Sequence, residues 1–138
     1  MKRITKTFTL FLAITLLSII TVSASAVSGV QPADIQPRYI GAYDVNSDLD
    51  ISSSGRADIQ GGVTVKSGYT ADVTVTLYKD SGSRVDSWSR SGGGDIAVQQ
   101  IYYVTSGHDY YVTVSATIFN SSGQRVDSIT KNSVEVYY

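Results

Sequence analysis

His108 and Asp109 are the one place in this chain where an imidazole stands beside a carboxylate, and His108 is the only histidine. A catalytic base of that type needs a carboxylate to orient the ring and a nucleophile on its far side. Neighbours in an extended chain point apart, so the pair reads as a corner residue and its neighbour rather than a dyad. Serines are frequent, yet no Gly-x-Ser-x-Gly elbow occurs. With no cysteine and one histidine, a nitrogen–sulfur metal centre has no ligand set. Glu135 is the sole glutamate and the aspartates fall mostly in expected turns. Paired carboxylates for sugar hydrolysis would therefore have to be assembled across a cleft. The glycine runs at 61–62 and 92–94 lack the strand–helix setting of a phosphate loop. We expect no catalytic residues and no cofactor.

One weak metal motif is present. Asp44, Asn46, Asp48 and Asp50 place oxygen ligands at alternate positions, as the opening of a calcium loop does. Leu49 stands where that loop needs glycine, and Gly55 where it needs a bidentate glutamate. A polar loop leading into a strand explains the same residues.

Aromatic side chains are the stronger lead. Ten tyrosines and Trp88 accompany only three phenylalanines. The doublets Tyr102-Tyr103, Tyr110-Tyr111 and Tyr137-Tyr138 would each send one ring inward and one outward if they lie in strands. The outward candidates are Tyr78, Tyr111, Phe119, Tyr137 and Trp88. Flat exposed rings can stack on sugars or anchor a protein interface. Aromatic residues also favour strands without binding anything, and Trp88 could equally cover a sheet edge.

These rings need a scaffold, and the chain supplies one. Tyr110, Val112, Val114, Ala116 and Ile118 alternate with Tyr111, Thr113, Ser115 and Thr117, the pattern of a strand with one buried face. Similar short runs begin at Leu49, Ala57, Ala71, Arg84, Ile96 and Val126, separated by turns rich in Gly, Ser and Asp. Gly61-Gly62 inside the second run predicts a bulge or a close backbone approach. No segment carries a helical period. Val73-Thr74-Val75 before Arg84-Val85-Asp86-Ser87 is echoed by Val112-Thr113-Val114 before Arg125-Val126-Asp127-Ser128, so one strand–turn–strand solution is used twice. The fold class expected is all-β, an antiparallel sandwich of about seven strands.

The spacing from Val104 through Gly107 to Tyr110, Val112, Val114 and Ala116 resembles the corner between the fifth and sixth strands of a fibronectin type III domain. That resemblance implies an immunoglobulin/fibronectin-III-like sandwich and makes Tyr110 a tyrosine corner, its hydroxyl bonded to the preceding backbone. It also implies that the two echoed hairpins share a sheet. Ser106 replaces the usual proline, and the tryptophan such domains bury in the second strand is missing.

Residues 1–26 read as a signal peptide. Lys2, Arg3 and Lys6 precede an apolar stretch from Phe8 to Val22, and Ala24-Ser25-Ala26 offers a cleavage site. The stretch is short for a spanning helix, which takes about 20 residues. Cleavage would remove three basic residues and no acidic one, leaving eight against twelve and a net charge of −4 in place of −1. That balance argues against nucleic acid and anionic lipid as partners. Residues 27–47, with Pro32 and Pro37, are expected to form a flexible leader, and residues 48–138 the sandwich.

A second resemblance spans nearly the whole chain. A signal peptide, the leader Ile35 to Tyr39, a Leu-x-Ile-Ser strand, a Thr-Leu-Tyr strand and a Tyr-rich ending are similar to small secreted β proteins of Gram-positive bacteria, Firmicutes especially, whose function is uncharacterised. It implies a secreted, extracellular protein that could be cell-wall associated, with no membrane contact once the signal is removed. The combined expectation is a non-catalytic module whose partner is a cell-wall glycan or an extracellular protein. A secreted inhibitor or a self-associating structural protein is the alternative, and an enzyme ranks last.

Overall fold

The computed structural model describes residues 38–80 and 82–138; the expected signal segment and residues 27–37 of the expected leader lie outside them. Eight strands follow in order: β1 Ala42–Ile51, β2 Arg56–Val65, β3 Thr70–Lys79, β4 Ser83–Gly92, β5 Asp95–Tyr103, β6 Asp109–Phe119, β7 Arg125–Asn132 and the short β8 Val136–Tyr137. They form two antiparallel sheets, β1-β2-β5 and β4-β3-β6-β7, with β8 completing the second by pairing with β6. No helix occurs among the described residues. The protein is an all-β sandwich with two open sheets rather than a closed barrel.

Period-two alternation builds the core. On β6 the residues Tyr110, Val112, Val114, Ala116 and Ile118 are all buried, whereas their neighbours reach the other face. They meet Val45, Leu49, Ile59 and Val63 from the three-stranded sheet in one continuous cluster. Burial of that apolar surface is the main stabilising term for a chain without disulfides.

The first strand starts earlier than expected. Residues 42–47, assigned above to a flexible leader, belong to β1, where Val45 is buried and faces Val63. The run from Asp44 to Asp50 has low strand preference, yet Asp44, Asn46, Asp48 and Asp50 fall on the solvent side while Val45 and Leu49 fall inward, and Ser47 between them donates to the Val112 carbonyl at 3.1 Å. Pairing with β2 overrides the local preference. Before it, Tyr39 packs on the core and the Ile40 amide donates to Asp127 Oδ2 at 2.8 Å.

Gly61 and Gly62 are not a bulge, because the β1–β2 and β2–β5 registers run through them unbroken. They mark close approach instead, Gly61 to the facing sheet and Gly62 to the paired strand β5. A Cβ on Gly61 would collide with Val114 and come within 3.0 Å of Val75 Cγ2, and one on Gly62 would strike the Ile96 carbonyl. At Gly61 side chains of the facing sheet fill the space that a side chain on β2 would take.

Tyr110 is a tyrosine corner. Its ring is 2% exposed, and its hydroxyl donates to the Thr105 carbonyl at 2.8 Å while accepting from the Thr105 amide at 3.2 Å. The loop before β6 is thus tied to the core by a side chain five residues later.

Candidate functional site

The outer face of the four-stranded sheet carries the aromatic candidates that the structure brings together. Tyr78 on β3 faces Tyr111 on β6, and their rings stack with centroids 5.2 Å apart and planes 16° from parallel. Tyr137, 71% exposed, lies beside them because β8 pairs with Asp109, the next outward position along β6. Phe119 shares this face but sits opposite Thr70, at the far end of the β3–β6 ladder. By strand rise that separates it from Tyr78 by roughly 27 Å.

Trp88 does not belong to this face. It pairs with Val75, whose side chain is fully buried, so both point inward. The indole packs on the core and meets Tyr102 of β5 edge to face at 6.3 Å. It closes the open flank between the two sheets. The bulge in β4, between the partners of Leu77 and Tyr78, lies just before it. Sequence alone could not place Trp88, since its facing depends on which side of that bulge is counted from.

Between the aromatic ends lies a field of hydroxyls. Across β4, β3, β6 and β7 the outward rows read Ser87, Thr76, Thr113, Asn132; then Ser89, Thr74, Ser115, Thr130; then Ser91, Asp72, Thr117, Ser128. Ten of these twelve side chains are Ser or Thr, so the middle of the face is nearly uncharged and can both donate and accept. Thr74 and Ser89 hydroxyls bond at 2.8 Å, Thr76 and Ser87 at 3.1 Å, and Thr113 donates to Asn132 Oδ1 at 2.9 Å. Single serines and threonines in strands carry no signal in the sequence until the register sets them side by side.

The opposite sheet carries a set of aspartates on its outer face. Asp44, Asp48 and Asp50 of β1, Asp58 of β2 and Asp95 of β5 all project from the outer face of β1-β2-β5. Asp48, Asp50, Asp58, Gln60, Gln99 and Ile101 line an open depression of ≈ 610 Å³ there. The weak calcium motif is not assembled in this geometry. Asp44, Asn46, Asp48 and Asp50 lie in an extended strand, where alternate side chains stand about 7 Å apart in a row. A calcium ion held at about 2.4 Å needs its oxygens to converge. No group of three or more His, Asp or Glu side chains converges among the described residues. Asp58 is bound by Arg56 at 2.7 Å, and Asp48 and Asp50 are exposed to water, unlike a carboxyl buried to serve as a general acid.

His108 finds a carboxylate, though not its neighbour's. Its Nδ1 lies 3.0 Å from Asp80 Oδ2 in the β3–β4 turn, while the Asp80 amide donates to the Asp109 carbonyl at 2.6 Å. The ring also meets Tyr110 edge to face at 6.2 Å. These contacts fasten the turn to the corner that precedes β6.

No protein-family model matches the chain, and no curated protein matches it.

Proposed function

We propose that this protein is an exported, non-catalytic β-sandwich module of fibronectin type III kind that binds a glycan of the cell wall. The observation that carries the reading is the stacked Tyr78–Tyr111 pair with Tyr137 beside it, an aromatic group on the outside of a rigid sheet. Paired rings fixed by cross-strand contact lose little freedom on binding, and their apolar faces and edges suit the C–H surfaces of sugars. The two hairpins in one sheet and the tyrosine corner support the fibronectin-like assignment. The signal-like start supports export, and the resemblance to secreted proteins of Gram-positive bacteria supports the wall as the place of action.

The test is retention of the purified protein on peptidoglycan and on insoluble polysaccharides, with Tyr111→Ala alongside. Retention that falls about tenfold in the variant supports a glycan site at the aromatic end. Failure to bind any polymer, with a stoichiometric protein complex recovered from culture medium, would replace the glycan by a protein partner.

A further inference from the structure

The four-stranded sheet contains a local two-fold axis that the echoed sequence only hinted at. The shift that carries Arg84-Val85-Asp86-Ser87 onto Arg125-Val126-Asp127-Ser128 also carries Tyr78 onto Phe119, Thr76 onto Thr117 and Arg90 onto Lys131. The register obeys the same operation. Tyr78 faces Arg84 across a bulge at Val85, and Phe119 faces Arg125 across a bulge at Val126. In both bulges the aspartate accepts from the next serine's amide, Asp86 from Ser87 at 2.7 Å and Asp127 from Ser128 at 2.8 Å. The β3–β6 pairs Tyr78–Tyr111 and Thr70–Phe119 exchange under it, and Thr74–Ser115 maps onto itself. The match between the VTV runs at 73–75 and 112–114 is therefore out of step, since Val73 corresponds to Val114.

We infer that this face is one binding platform with two ends related by that axis, built to hold a neutral polysaccharide. The inference rests on the glycan reading above and extends it from one aromatic end to the whole face. Each end offers an aromatic ring beside an exposed guanidinium, Tyr78 with Arg84 and Phe119 with Arg125. Ring and guanidinium together can stack on a sugar and donate to its hydroxyls. Between the ends, hydroxyls that act as donors or acceptors meet a polymer made of the same group. Asp72 is the one carboxylate in those three rows, and the acidic side chains described above are on the other sheet. An anionic polymer would find few cations between the ends, and a cationic one would favour the opposite face. The platform is a sheet surface rather than a groove, which suits a polymer laid along it. Two grips roughly 27 Å apart on one chain raise retention beyond either grip alone.

The experiment compares wild type, Tyr78→Ala, Phe119→Ala and the double variant on insoluble cellulose and chitin, and on peptidoglycan. Ser115→Lys is included at the axis and Asp48→Lys on the opposite face, with Trp88 fluorescence confirming that each is folded. Two gripping ends predict about a tenfold loss for each single alanine and about a hundredfold loss for the pair. Ser115→Lys should also lose retention, and Asp48→Lys should bind as wild type does. If Tyr78→Ala weakens binding while Phe119→Ala and Ser115→Lys bind as wild type, the two-ended platform is wrong and the single aromatic end stands. If wild type is retained on peptidoglycan alone, the neutral polysaccharide is wrong and the cell-wall reading stands; if it binds none of the three polymers, the glycan reading itself falls. A wild-type dimer that Ser115→Lys separates in sedimentation equilibrium would reassign the face to a second copy of this chain.

Discussion

Thr74 of β3 lies directly opposite Ser115 of β6, and the local two-fold axis of the four-stranded sheet passes through that pair. An inward cation on an edge strand is consequently present twice. Arg90 on β4 donates to the Ala97 carbonyl of β5 at 3.0 Å, and its counterpart Lys131 on β7 donates to the Val45 carbonyl of β1 at 2.6 Å. Both cations point inward from edge strands and occupy carbonyls on the two edges of the smaller sheet. Unpaired edge carbonyls invite another strand, and inward charges are a known defence.

Removing both plugs should therefore expose the edges. Arg90→Ala combined with Lys131→Ala is expected to give concentration-dependent association on size-exclusion chromatography, while wild type elutes at one position throughout. A double variant with unchanged elution at all concentrations would show that the edges are protected by other means.

The tyrosine corner gives a contrast between neighbours. Tyr110→Phe removes a hydroxyl that both donates to and accepts from Thr105, and it should cost about 1–2 kcal/mol in urea unfolding. Tyr111→Phe, on the outer face, should stay within about 0.5 kcal/mol of wild type.

Gly61 should tolerate no side chain. Alanine there places a methyl against Val114 and Val75 of the facing sheet, which should cost about 1–3 kcal/mol. Gly92→Ala is the control, because its added Cβ would find only Ile96 Cγ1 at 3.9 Å.

Trp88 should behave as a structural residue. Trp88→Ala opens the flank it shares with Tyr102 and is expected to lower stability by about 2 kcal/mol, less than for a fully buried ring. Below its melting temperature the variant should bind polymer as wild type does. Selective loss of binding at full stability would return the indole to the list of ligand contacts.

His108 and Asp80 form a partly exposed pair, with side chains 34% and 46% accessible. His108→Ala should cost less than about 1 kcal/mol, measured by thermal unfolding.

The sequence was sufficient for the all-β class, for the strands from β2 onward and for the inward ring of Tyr110. Alternation of apolar and polar residues is a local property that every strand writes along itself. It misled at β1, where Asp44, Asn46, Asp48 and Asp50 look like loop ligands until β2 pairs with them and spreads them along one face. Whether Trp88 faced in or out was likewise beyond it, because a bulge shifts the count by one and only the partner strand reveals the bulge. The candidate site was half legible: Tyr78 and Tyr111 could be assigned to the outside from alternation alone. That they stack, that Phe119 stands at the other end and that ten hydroxyls fill the space between depended on the register between strands far apart in the chain. Side-chain facing is decided within a strand, but adjacency across a sheet is decided only when the strands meet.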